Sequence, residues 1–222
     1  MTRPIRALLV DDQEMIRDGL GVLLESSGEI EMVGFAADGR EAIDLAAELE
    51  PDVIVMDIRM PKLDGLQATA QITASKQAED SPPRILILTT FDHDDYVYEA
   101  LAAGASGFML KDASARELIE AVRVVHAGNG LLAPSVTKRL IVEFASRRRA
   151  GRGAKPEALE DLTPRELDVL REMAGGFSNA EIAERLFLSE QTVKTHVGHV
   201  LMKLSVRDRT QAVVFAYENG VV

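Results

Sequence analysis

Asp11 and Asp12, Asp57, Thr89 and Lys111 each stand where a short apolar run stops: IRALLV before the first pair, VIVM before Asp57, ILIL before Thr89 and GFML before Lys111. If the runs are neighbouring strands of one parallel sheet, these three acids, one hydroxyl and one amine converge at its carboxyl edge, where open α/β sheets bind ligands. Three carboxylates a few ångströms apart repel one another, and leaving them unpaired costs several kcal/mol or forces one to protonate. A divalent cation with oxygen ligands resolves the conflict. Magnesium fits because it accepts one or two carboxylates, keeps several waters and can take a phosphate as a further ligand. With a lysine beside it, such an ion can neutralise a phosphoryl group in flight and leave one carboxylate free to attack it. Asp57, at the end of the central strand, is the residue placed to do so. Taken singly, Asp11 could cap a helix, Thr89 could finish a strand and Lys111 could lie on the surface; the argument rests on the set.

The elements that must position this set are legible as far as about residue 127. Apolar runs at Ile5 to Val10, Glu31 to Ala36, Val53 to Asp57, Ile85 to Thr89 and Ser106 to Leu110 alternate with helix-period segments. Those segments are Gln13 to Ser26, Arg40 to Leu49, Leu66 to Ala74, Asp94 to Ala103 and Ala115 to Ala127. Five strands alternating with five helices predict a doubly wound, five-stranded parallel sheet of flavodoxin-like form. Asp38 with Glu41 and Ser114 with Glu117 have capping-box spacing, and Gly128 follows the last helix as a C-cap would. Asp92-His93-Asp94-Asp95 reads as an N-cap Asp92 beside a solvated His93 rather than as a metal motif.

Beyond residue 160 only helices are predicted. Thr163-Pro164-Arg165-Glu166 combines an N-cap, a first-turn proline and a capping-box glutamate. Ser178 starts a second helix ending near Leu186, Ser189 a third and about Arg207 a fourth, running to Asn219. Only Phe187 and Leu188 separate the second from the third, which is helix-turn-helix spacing. On the third helix Val193, Val197, Val200, Leu201 and Leu204 share one stripe, which must pack inward. Gln191, Thr195, Gly198 and Met202 lie opposite, with Lys194 on one border and Thr192, His199 and Lys203 on the other. Such a face can enter a major groove while its basic edges meet phosphates. The domains are therefore set at 1–127, a linker with a short helix from about Pro134 to Ser146 over 128–157, and a small four-helix all-α domain over 158–222.

Composition limits the function. The chain of 222 residues is 46% hydrophobic and 27% charged, the profile of a globular protein, and its apolar runs are far shorter than the roughly 20 residues that span a bilayer. The N-terminus has no signal-peptide core of about 7 to 15 apolar residues, so a cytoplasmic location with no membrane insertion is expected. Zero cysteines exclude disulfides, thiolate catalysis and cysteine zinc sites. The net charge of −11 is unevenly divided: −13 over 1–127, +6 over 128–156 and −4 over 157–222. The basic stretch reads as a solvated tether or as a phosphate-binding arm.

The stretches LLVDDQ, VMDIRMPKLDG, LILTT and GFMLKD resemble the receiver domain of two-component response regulators over about residues 5–125. LTPRELDVL, GGFSNAEIAERL and LSEQTVKTHVGHVLMKL resemble the LuxR-type helix-turn-helix over about 160–218, and together the halves resemble the NarL/FixJ response regulators. The resemblance implies that a cognate sensor histidine kinase phosphorylates Asp57. It implies that Asp12 and Asp57 bind Mg2+ directly, Asp11 through water, and the main-chain carbonyl of Arg59 completes the protein ligands. Thr89 and Lys111 would contact the phosphoryl oxygens, and Phe108 takes the switch-aromatic position, where many relatives carry tyrosine. Lys194 and Thr195 would face bases of promoter DNA, with Ser189, Thr192, His196 and Lys203 near phosphates. The helical wheel turns His196 partly toward the protein. With few cations in an acidic domain, one copy should bind DNA weakly, so a homodimer formed on phosphorylation is expected. A regulator that binds DNA independently of phosphate and a phosphatase with an aspartyl intermediate are the competing readings. The second lacks the acid two residues beyond the nucleophile, where Arg59 stands.

Overall fold

The computed structural model describes residues 3–75, 83–90, 94–129, 131–132 and 157–222. The expected helix over 134–146, most of the linker and the Asp92-His93 motif lie outside them. The chain divides into two compact units, Met1–Ala133 and Pro134–Val222.

In the first unit the elements alternate: β1 (Ile5–Val10), α1 (Glu14–Glu25), β2 (Ile30–Ala36), α2 (Gly39–Leu49), β3 (Val53–Met56), α3 (Gly65–Ala74), β4 (Arg84–Thr89), α4 (Asp94–Ala102), β5 (Gly107–Leu110), α5 (Ala115–His126) and β6 (Leu131–Leu132). The sheet order is β2-β1-β3-β4-β5-β6, with every pairing parallel. The five expected strands are thus joined by a two-residue sixth, too short to leave a periodic signal. Burial explains why the strands are continuous apolar runs: β3 is buried at all four positions and β4 at five of six, as a sheet covered on both faces requires. The edge strand β2 is the exception, exposing Glu31 and Phe35. One buried cluster packs Leu9, Val55, Leu86 and Leu88 against Leu24 of α1 and Leu118, Val122 and Val125 of α5.

Helix ends follow the predicted caps with one variation. Ser114 and Glu117 form a full capping box, whereas Asp38 accepts from Arg40 N and Glu41 N while Glu41 reaches back to Ala37 N at 2.8 Å. Gly128 takes φ +77°, the left-handed conformation that ends α5.

The second unit holds a 3-10 turn (Glu157–Leu159), then α6 (Pro164–Ala174), α7 (Asn179–Leu186), α8 (Glu190–Lys203) and α9 (Arg209–Glu218). Full capping boxes at Thr163 and Ser178 start α6 and α7. Phe187, at φ +56°, reverses the chain before Ser189 caps α8. The fourth helix begins two residues later than expected because Asp208, buried, is its N-cap and accepts from Gln211 N. Val193, Val197, Val200 and Leu204 are buried with Val169, Leu170, Met173 and Ile182, and Leu201 packs against them half-buried. No helix among the described residues is long and apolar enough to cross a membrane.

Candidate functional site

The strand order reverses between β1 and β3, so a crevice opens where their carboxyl ends diverge. Val10 pairs with Met56, which puts Asp11 and Asp57 side by side as the two strands end. Asp57 N still donates to Val10 O at 2.9 Å, so the carboxylate leaves from a fixed backbone. On the far side Thr89 pairs with Leu110, and Lys111 N donates to Thr89 O at 2.8 Å, which brings the hydroxyl and the amine to one edge.

The side chains converge. Asp11, Asp12 and Asp57 each offer a carboxylate oxygen within 4.8 Å of the others. Asp11 and Asp57 are buried while Asp12 is exposed. Lys111 Nζ bridges the two buried acids, bonding Asp11 Oδ2 and, at 2.9 Å, Asp57 Oδ2. The second oxygens are used as well: Asp57 Oδ1 accepts from Ile58 N at 2.8 Å and Asp11 Oδ1 from Gln13 N at 3.0 Å. Burial raises the Asp57 carboxyl above its usual range, against the opposing pull of Lys111. Burial alone would lower Lys111, but its bonds to Asp11 and Asp57 prevail and raise it. Three carboxylates against one ammonium leave two negative charges over, held by oxygen donors of the kind a hard divalent cation takes. The residues present therefore fit magnesium, with exposed Asp12 giving an open approach.

Two features of this site were not legible in the sequence. Phe108 is 1% exposed, among the largest fully buried side chains; without a tyrosine hydroxyl, nothing draws the ring toward water. Beside Asp57 lies a cavity of about 430 Å³ bordered by Arg59, Met60 and Tyr96, where Arg59 Nη2 donates to Tyr96 Oη at 3.1 Å. It joins residues 37 positions apart, a distance no local pattern records.

In the second unit Gln191, Thr195, Gly198, His199 and Met202 are exposed on α8, as the wheel requires. Most of the candidate DNA contacts already have partners. Ser189 Oγ accepts from Thr192 N at 3.1 Å, Thr195 Oγ1 donates to Gln191 O at 3.1 Å, and Lys194 pairs with Glu190 at 3.0 Å. Lys203 Nζ lies 2.7 Å from Glu166 Oε2, and His199 Nδ1 faces Glu166 Oε1 at 3.4 Å. Glu166 is buried, and Lys203 chiefly, with Thr163, lowers its carboxyl to about 2. Sequence reasoning found Glu166 only as a cap; its role as the anchor of Lys203 depends on how α6 crosses α8. His196 is half-buried and its Nδ1 is fully so, in keeping with the wheel.

A flavodoxin-like domain with an acidic, lysine-bridged switch point, in one chain with a capped helix-turn-helix, has the make-up of a receiver module paired with a DNA-binding module. Comparison with known proteins agrees. Residues 7–123 match the response regulator receiver domain, and residues 160–216 match the luxR family of bacterial regulatory proteins. The transcriptional regulatory protein LnrK of Bacillus subtilis is 42% identical over 221 residues, covering 98% of both chains. LiaR of the same organism is 44% identical over 218 residues, covering 98% of this chain and 99% of its own. The response regulator VraR of Staphylococcus aureus is 41% identical over 219 residues, with the same coverage as LiaR. Among solved structures, the response regulator ChrA of a heme-sensing two-component system aligns over 100% of both chains at 35% identity, with a TM-score of 0.52. The chain belongs to the response regulators that join a receiver domain to a LuxR-type DNA-binding domain.

Proposed function

We propose that this transcriptional response regulator is switched by phosphorylation of Asp57, and that the phosphorylated form pairs as a homodimer on promoter DNA. The observation that carries the proposal is the convergence of Asp11, Asp12 and Asp57 with Lys111 bridging two of them.

In the transfer, an Asp57 carboxylate oxygen forms a bond to phosphorus as the phosphorus–nitrogen bond of a kinase phosphohistidine breaks; the released imidazole takes up a proton. Lys111 is close enough to shift from Asp57 Oδ2 to the incoming phosphoryl oxygens, and Thr89 at the next strand end can donate its hydroxyl to them. By the family resemblance, Asp12 and Asp57 would hold Mg2+ directly, Asp11 through water, with the Arg59 carbonyl. When bound, the ion supplies positive charge that offsets the charge on the phosphoryl oxygens. The aspartyl phosphate then adds up to two negative charges and three acceptor oxygens at a half-enclosed site. Drawing Thr89 toward them reshapes the edge beside buried Phe108, and the population shift is read on the face formed by α4, β5 and α5.

At the output, Lys194 and Thr195 on the exposed face of α8 are the proposed base contacts. Gln191 lies with them, and Ser189, Thr192, His199 and Lys203 flank them toward phosphates. Treatment with acetyl phosphate and magnesium tests the whole reading. The wild-type chain should acquire an acid-stable, base-labile label, sediment as a dimer and bind selected DNA at least tenfold tighter, while Asp57→Asn does none of these. Labelling that persists in Asp57→Asn, or that leaves both sedimentation and affinity unchanged, overturns it.

A further inference from the structure

The helix-turn-helix unit holds a second group of potential metal ligands, in a different unit from Asp57. Glu166 of α6 and His196 and His199 of α8 each offer one ligand atom, and the three atoms lie within 4.8 Å of one another. The two histidines are three residues apart, so their rings project from neighbouring points on one side of α8.

We infer that Glu166, His196 and His199 form a binding site for a divalent transition metal of the zinc class. Two imidazoles and a carboxylate are a recurring three-residue ligand set for zinc, which completes its shell with water. Each group has capacity to spare. Glu166 Oε2 is engaged by Thr163 N at 2.8 Å and Lys203 Nζ at 2.7 Å, but Oε1 meets His199 at 3.4 Å, too long for a good hydrogen bond. His196 Nδ1 is buried and has no hydrogen-bond partner among the described residues.

Access is open on one side, because the His199 side chain is 51% exposed, and the same opening admits the water that would be the fourth ligand. Tetrahedral zinc with bonds of about 2.0 to 2.1 Å sets its ligand atoms roughly 3.3 Å apart, so atoms that lie within 4.8 Å of one another must close by up to about 1.5 Å. Glu166 Oε1 and His199 Nδ1, 3.4 Å apart, already stand near that spacing, so the closure falls on the two imidazoles, and the exposed His199 ring has room to turn. Hard, oxygen-seeking ions gain little here: magnesium and calcium prefer carboxylates and water to imidazole.

The consequence reaches the DNA-binding face. An ion on Glu166 Oε1 draws His199 inward and weakens the hold of the same carboxylate on Lys203, so two side chains assigned to the phosphate border are repositioned by one binding event.

The test uses the full chain without a histidine tag, in excess magnesium to fill oxygen-donor sites. Cobalt(II) is titrated and followed by visible absorption, then displaced with zinc in a calorimeter. One equivalent giving the intense bands of a four-coordinate nitrogen and oxygen site is expected, displaced stoichiometrically by zinc. His199→Ala and His196→Gln should each weaken zinc binding at least tenfold, and His126→Ala, exposed on α5, should leave it unchanged. Weak six-coordinate spectra alone, or affinity equal to wild type in both cluster variants, overturns the inference.

Discussion

Gly65 opens α3 directly behind Asp57, the proposed phosphoacceptor, and replacing it with alanine tests how tightly the site depends on its backbone. A Cβ there would stand 1.9 Å from the carbonyl oxygen of Asp57, 2.9 Å from its carbonyl carbon and 3.0 Å from Met56 Cγ. Ordinary contact begins at 3.4 Å, so about 1.5 Å must be recovered between two main-chain segments. Neither can swing aside as a side chain does. Gly65 N is also tied to Ile58 O at 2.8 Å, and Ile58 N holds Asp57 Oδ1. Relief therefore moves Asp57, the proposed nucleophile, off the line set by Lys111. A displacement near 1 Å at a reacting group costs on the order of 10²-fold in rate, and overpacking a close-packed site costs about 1–3 kcal/mol. Gly65→Ala should be labelled by acetyl phosphate about 100-fold more slowly, read on phosphate-affinity gels, with the receiver unfolding at lower urea. Gly198→Ala is the control: nothing lies within 4 Å of its Cβ, and alanine favours the middle of α8 by about 0.5–1 kcal/mol. Labelling of Gly65→Ala at the wild-type rate would refute the reasoning.

Other outcomes follow from the same geometry. Glu166 is held at about 2 against an ordinary 4.5, first by Lys203, so its contribution is complete above pH 4.5 and lost as pH falls through 2. Because Lys203 is 27% exposed, screening reduces the nominal value of about 3 kcal/mol to on the order of 1–2. In urea titrations with chelator present, Glu166→Gln should trail wild type by that amount at pH 7, and the gap should narrow between pH 4.5 and 2; a gap independent of pH contradicts the ion pair. On DNA, Lys194→Ala should cost about 1–3 kcal/mol and relax preference at one base position. Lys203→Ala should instead lower affinity for all sequences and reduce the salt slope by about 1, as measured by anisotropy over a range of salt; equal effects of the two variants on specificity would contradict their assigned roles.

The acidic site was legible because in a parallel sheet the end of each apolar run marks one edge, so five residues up to 100 positions apart could be gathered by periodicity alone. The caps were legible for a similar reason: Thr163 with Glu166 and Ser178 with Glu181 are local patterns whose energetics do not depend on tertiary structure. What stayed hidden depends on the angles at which helices cross. That Lys203 turns back to Glu166, that His196 points Nδ1 into the protein, and that Tyr96 meets Arg59 are all contacts across packed elements. Phe108 was recognised by position, but its burial is settled by the core around β5.

These hidden contacts bear on how the output domain must work. Its net charge is −4, and the structure shows that the cations on α8 are already engaged: Lys194 with Glu190, Lys203 with Glu166. On the proposed contacts, DNA must compete with those carboxylates, and the Lys203 pair is the harder to give up because Glu166 is buried and would be left without its main counter-charge. A single domain therefore recovers only part of the counterion release that its lysines could supply. Two domains held on one DNA turn the second binding event into an intramolecular one, which can raise affinity by about 10² to 10⁴ without a new contact. In the proposed mechanism, weakness of the single copy is what would make dimerisation an effective switch, since a more basic α8 would bind DNA before any phosphoryl group arrived.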